Sequence, residues 1–112
     1  RVLVSGETSA TGNIYDYEAA SLAAAPVTIP ISGAATFGII HIADLEGWIW
    51  SLVKTSPGKV GKTNPSGYAT VVTTLDAGFN QPSTMASDGA GHLWVAFTTN
   101  PDMKVIRISL TP

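Results

Sequence analysis

From Trp48 to Val53 only Ser51 is polar, and large apolar side chains occupy both alternating sets: Trp48, Trp50 and Leu52 on one, Ile49 and Val53 on the other. A strand with one face in water alternates apolar and polar residues. Two apolar faces therefore predict a strand stacked between neighbours on both sides. Around it, the pattern predicts an inner strand over Phe37 to Ala43, a turn at Asp44 to Gly47 and a second strand over Trp48 to Lys54. A turn at Ser56-Pro57-Gly58, a weaker third strand near Lys59 to Thr63 and a fourth over Ala69 to Leu75 complete the unit. Three strands before Phe37 and three after Asn80 bring the expectation to ten, all β.

The unit repeats. Asp44-Leu45-Glu46-Gly47-Trp48-Ile49-Trp50 lies over Asp88-Gly89-Ala90-Gly91-His92-Leu93-Trp94 without a gap, at a spacing of 44 residues. The spacing holds for Thr55-Ser56-Pro57 against Thr99-Asn100-Pro101, and for Val27 to Ile31 against Val71 to Leu75. With a small indel, Arg1 to Val4 takes the slot of Gly47 to Trp50. Strand-and-turn repeats of this length predict β-propeller blades of four antiparallel strands. Ten strands make about two and a half such blades: an incomplete one over 1–33, a full one over 34–78 and an incomplete one over 79–112. A closed ring takes about four to eight blades. Completion by oligomerisation, as a homo-oligomer, or by a second chain is thus expected.

Composition agrees with short strands and turns. Charged residues are 12% of the chain, against roughly 25% in a typical soluble domain. Polarity comes instead from 13 Thr and 10 Ser, punctuated by 11 Gly and 7 Pro. A net charge of −2 with six basic residues leaves no footprint for nucleic acid. There is no cysteine to form a disulfide or ligate a metal. Low charge and many hydroxyls favour an extracellular, secreted protein. The stretch from Ala19 to Ala43 lacks charge, but Pro26, Pro30, Gly33 and Gly38 interrupt it, and it reads as strands rather than a membrane span.

Pro82 followed by Met85-Ala86-Ser87-Asp88-Gly89-Ala90-Gly91-His92-Leu93-Trp94-Val95-Ala96 resembles a blade of the NHL and streptogramin-lyase-like propellers. In that family an Asp-Gly-x-Gly turn ends the inner strand and an apolar-Trp pair opens the next. The resemblance implies a propeller fold. For members with lyase activity it implies histidines and a glutamate near a central channel with a divalent metal. His41 and His92 are the only histidines, and neither they nor Glu7, Glu18 and Glu46 fall in that catalytic pattern.

Asp88 and His92 together read either as a carboxylate orienting an imidazole or as a turn in which Asp88 accepts backbone N–H groups and Gly91 supplies positive φ. The earlier copy keeps Asp44 and Gly47 but has Trp48 in place of His92, which favours the turn. His41 falls on an inner strand. Trp50 and Trp94 recur and are expected to pack between blades. Tyr15, Asp16, Tyr17 and Trp48 are the candidate ligand-binding residues, aromatic platforms with a hydrogen-bonding acid. Gly58 to Thr63 lacks the spacing and following helix of a phosphate-binding loop. The expected function is a non-catalytic binding module, without cofactor or metal, for carbohydrate or another small extracellular ligand. A metal-assisted lyase with His41 or His92 as catalyst is the alternative, and a structural or engineered propeller fragment a third.

Overall fold

The structure, a computed structural model, describes residues 2–7, 12–31, 39–98 and 103–110. Within them the chain is all β: ten antiparallel strands in three sheets, with no helix. The first sheet joins β1 (Val2–Glu7), β2 (Gly12–Tyr17) and β3 (Val27–Ile31) in chain order. The central sheet joins β4 (Ile39–Ala43), β5 (Ile49–Val53), β6 (Lys59–Thr63) and β7 (Thr70–Thr74). The last joins β8 (Thr84–Ser87), β9 (Leu93–Phe97) and β10 (Lys104–Ile108). Each is a meander, because every connection pairs a strand with its successor, and the sheets do not close into a ring. Phe37 and Gly38, expected at the start of β4, lie outside the described residues.

Period-two alternation explains the stacking. On β5, Ile49 and Val53 point one way and join Ile14, Ile29 and Ile31 of the first sheet in one core. Trp50 and Leu52 point the other way and join Val60, Leu93, Val95 and Phe97 in a second. Every residue of β5 is buried, as its two apolar faces require. Each aliphatic side chain so buried contributes about 1.5–3 kcal/mol. The central sheet is therefore the middle layer, held by hydrophobic burial on both faces.

The layers are not evenly spaced. Cα atoms of β4 come within 8 Å of β1 and β2 on one side and of β8 on the other, closer than the ~10 Å spacing of stacked sheets. The sheets thus converge along the edge formed by β1, β4 and β8. β1 stands beside β4, at the converging edge. Among the described residues no helix is long and apolar enough to cross a membrane. The described part of the uncharged stretch forms two turns, β3 and β4.

Candidate functional site at the aspartate turns

Two turns of the same design connect β4 to β5 and β8 to β9. In the first, Asp44 Oδ1 accepts the backbone N–H groups of Glu46 (3.0 Å) and Trp48 (2.9 Å). In the second, Asp88 Oδ1 accepts those of Ala90 (2.8 Å) and His92 (3.2 Å). Gly47 and Gly91 close the turns at φ +87° and +86°, a conformation that costs a residue with a Cβ. The second carboxylate oxygen also has an equivalent partner in both turns: the Trp50 indole Nε1–H donates to Asp44 Oδ2 at 3.1 Å, and His92 Nδ1 lies 2.9 Å from Asp88 Oδ2. The imidazole occupies the role of an indole N–H. Asp88…His92 is first a turn.

Chemistry remains available at this turn. His92 is partly exposed, and its Nδ1–H donated to Asp88 leaves Nε2 as an acceptor in the neutral ring. The Ala90 backbone N–H, opposed by partial desolvation and reinforced by the backbone N–H and ring of His92, holds the Asp88 carboxyl below its ordinary value of 3.8. Among the described residues no group of three His, Cys, Asp or Glu side chains is placed to hold a metal ion.

The two turns touch. A methyl group built on Gly89 would sit 3.3 Å from Leu45 Cδ1, and one on Gly47 would sit 3.7 Å from the Pro65 ring, in the β6–β7 turn. One edge of the molecule therefore gathers Trp48, Glu46 and Leu45 from one turn, His92 and Asp88 from the next, and Pro65 behind them. The half-buried Trp48 ring has the Lys62 ammonium 4.7 Å from its centroid.

The other candidates lie elsewhere. Tyr15 and Tyr17 alternate with Asp16 along β2, so the three do not share a face. The tyrosines lie on the outer face of the first sheet, Tyr17 lining a recess of about 240 Å³ with Val2, Val4 and Leu22. Asp16 is buried on the opposite face, where it accepts a hydrogen bond from the hydroxyl of Tyr68, in the β6–β7 connection, at 2.7 Å. His41 Nε2 donates to the Leu3 carbonyl at 3.1 Å, which ties β4 to β1, and its Nδ1 is buried with no hydrogen-bond partner among the described residues. Of the six candidates, only Trp48 and His92 come to the same edge.

Lys62 escaped the sequence reading. Set in β6 opposite Trp50, it is buried, lies 4.7 Å from that ring centroid and donates to the Leu110 carbonyl beyond β10 at 3.1 Å. Arg107 holds the matching place opposite Trp94, 6.0 Å from its ring. A basic residue one strand after each recurrent tryptophan was the available signal. Arg107 is one residue further from Trp94 than Lys62 is from Trp50, so the strict repeat spacing puts Ile106 there instead. No family model, curated protein or solved structure matches this chain.

Proposed function

We propose that the chain is a non-catalytic binding module: a β-propeller segment of NHL or streptogramin-lyase-like blade type, its ring completed by further copies or a partner chain. Convergence of the sheets along β1, β4 and β8 supports the propeller reading, since blades approach one another at their inner strands. The ligand site is the edge where the aspartate turns meet. One observation carries this assignment: the two turns share their aspartate, their glycine and the two backbone N–H bonds to Oδ1, yet differ in the residue at the exit, Trp48 in one and His92 in the other. A constant frame with a variable exposed residue is how a rigid scaffold carries binding groups on its loops. A partly exposed indole stacks on an apolar sugar face, and Glu46, Asp88 and His92 supply hydrogen-bonding groups for hydroxyls. Carbohydrate, or another small extracellular ligand of similar shape, is the ligand class.

The test is a titration with a panel of neutral saccharides, monitored by calorimetry. Binding is expected, with Trp48→Ala weakening it about tenfold or more and Tyr17→Ala leaving it unchanged. Binding lost in Tyr17→Ala and kept in Trp48→Ala would move the site to the outer face of the first sheet.

A further inference from the structure

The repeat relates the last sheet to the central sheet face by face. On the central sheet, Trp50 and Leu52 of β5, with Ile42 and Ile40 opposite on β4 and Lys62 and Val60 opposite on β6, form the face that the last sheet covers. The corresponding positions on the last sheet are Trp94 and Ala96 of β9, Ala86 and Thr84 of β8, and Arg107 and Val105 of β10. These point outward, because Leu93, Val95 and Phe97 point into the core beside the central sheet. Trp50 is 0% exposed, whereas Trp94 is 43% and Val105 65% exposed. The outer face is not featureless. Trp94, Val105, Ala86 and Ala96 line a recess of about 170 Å³ with Thr84, Met85 and Val95, and Arg107 sits over Trp94 as Lys62 sits over Trp50.

We propose that this outer face is the seat of a second copy of the chain, which lays the outer face of its first sheet on it, head to tail. Three observations select that occupant. The face occupies the repeat positions of a face of this same chain that a sheet of the same repeat covers, and keeps its tryptophan, its valine and its basic residue while Leu52, Ile42 and Ile40 give way to Ala96, Ala86 and Thr84, so its natural complement is another such sheet. Each junction within the chain puts a sheet on its successor, and the continuation of the last sheet in that order is a first sheet. The first sheet's outer face is itself apolar and exposed at Val2, Val4 and the Tyr17 recess. Its two tyrosines suit Arg107, since aromatic rings and phenol oxygens both receive a guanidinium. Such a heterologous contact closes into a ring where the rotation permits. With three, four and three strands per chain, two copies bring six sheets to it. The inference rests on the propeller reading in taking the neighbour to be a further sheet, and not on the ligand assigned to the Trp48 edge.

Sedimentation velocity of the full chain, from low micromolar to about millimolar concentration, tests it. Concentration-dependent association is expected, weakened about tenfold or more by Trp94→Glu and equally by Val4→Glu. An equimolar mixture of the two variants is expected to recover a dimer, because the first keeps an intact first-sheet face and the second an intact last-sheet face. Should Trp94→Glu lose its β-sheet circular dichroism, Val105→Glu at a more exposed position carries the same expectation. A chain that stays monomeric throughout the range overturns the proposal, and so does association that Val4→Glu leaves untouched, which would mean that two last sheets meet. Trp48→Ala should associate like the parent chain, so that loss of saccharide binding in this variant bears on the ligand alone.

Discussion

Trp50 and Trp94 stand at the same position of the same repeat, follow the same aspartate turn and sit beneath a basic residue of the next strand, yet one is fully buried and the other nearly half exposed. The difference lies in what covers them. Trp50 has the last sheet over it, and Lys62 beside it reaches across to the Leu110 carbonyl. The described residues leave Trp94 and Arg107 facing outward. A repeat specifies strand, turn and side-chain direction, because these depend on local sequence. Burial depends on the next layer, and among the described residues only Trp50 has one.

The sharpest way to break the comparison is to truncate both indoles. Trp50→Ala removes a fully buried side chain and is expected to destabilise the fold by about 3–5 kcal/mol, whereas Trp94→Ala in dilute solution should cost about 1 kcal/mol or less. Equal losses in urea unfolding would show that Trp94 is buried in the isolated chain. The basic partners give a smaller contrast. Lys62→Ala leaves the Leu110 carbonyl without this donor and should cost about 1–3 kcal/mol; Arg107→Ala should stay within about 0.5 kcal/mol. Comparison of the two turns is finer again. Asp44→Ala loses two backbone bonds and the Trp50 indole bond, for about 1–2 kcal/mol, and Asp88→Ala should cost less because its turn is exposed.

Acid provides the smallest and most specific probe. A carboxyl held below its ordinary value stabilises the folded state above that value and loses the contribution as pH falls through its folded-state pKa. The contribution of Asp88 should therefore be complete above its ordinary 3.8 and be lost as pH falls from there through its lower folded-state value. Asp88→Asn should flatten that part of the acid limb in thermal unfolding, and an acid limb identical to that of the parent chain would place the Asp88 carboxylate outside the turn.

Much of this was legible in the residues, for identifiable reasons. Two apolar faces on β5 required neighbours on both sides, and the shared Asp and Gly of the two turns assigned Asp88 to a corner before any geometry was known. Alternation already separates Asp16 from Tyr15 and Tyr17, so their proximity in sequence was never a shared platform. Other features depended on distance in space. β1 carries no tryptophan to mark its place, and its approach to β4 is visible only in space. The Lys62–Trp50 and Arg107–Trp94 pairs are set by strand register, which a one-residue difference in loop length hides from a fixed spacing. The tie from Tyr68 to Asp16 joins residues 52 positions apart, with no local signal at either end.

The most direct measurement of the Trp50–Trp94 contrast is ¹⁹F NMR of the 5-fluorotryptophan-labelled chain across a dilution series, with resonances assigned by Trp→Phe substitution. The expected result is a Trp50 signal that ignores both concentration and solvent isotope. The Trp94 signal should show a solvent isotope shift when dilute and lose it, with a change in chemical shift, as copies associate. A Trp94 signal as indifferent as that of Trp50 at every concentration, or one still solvent-exposed at the highest, would contradict it.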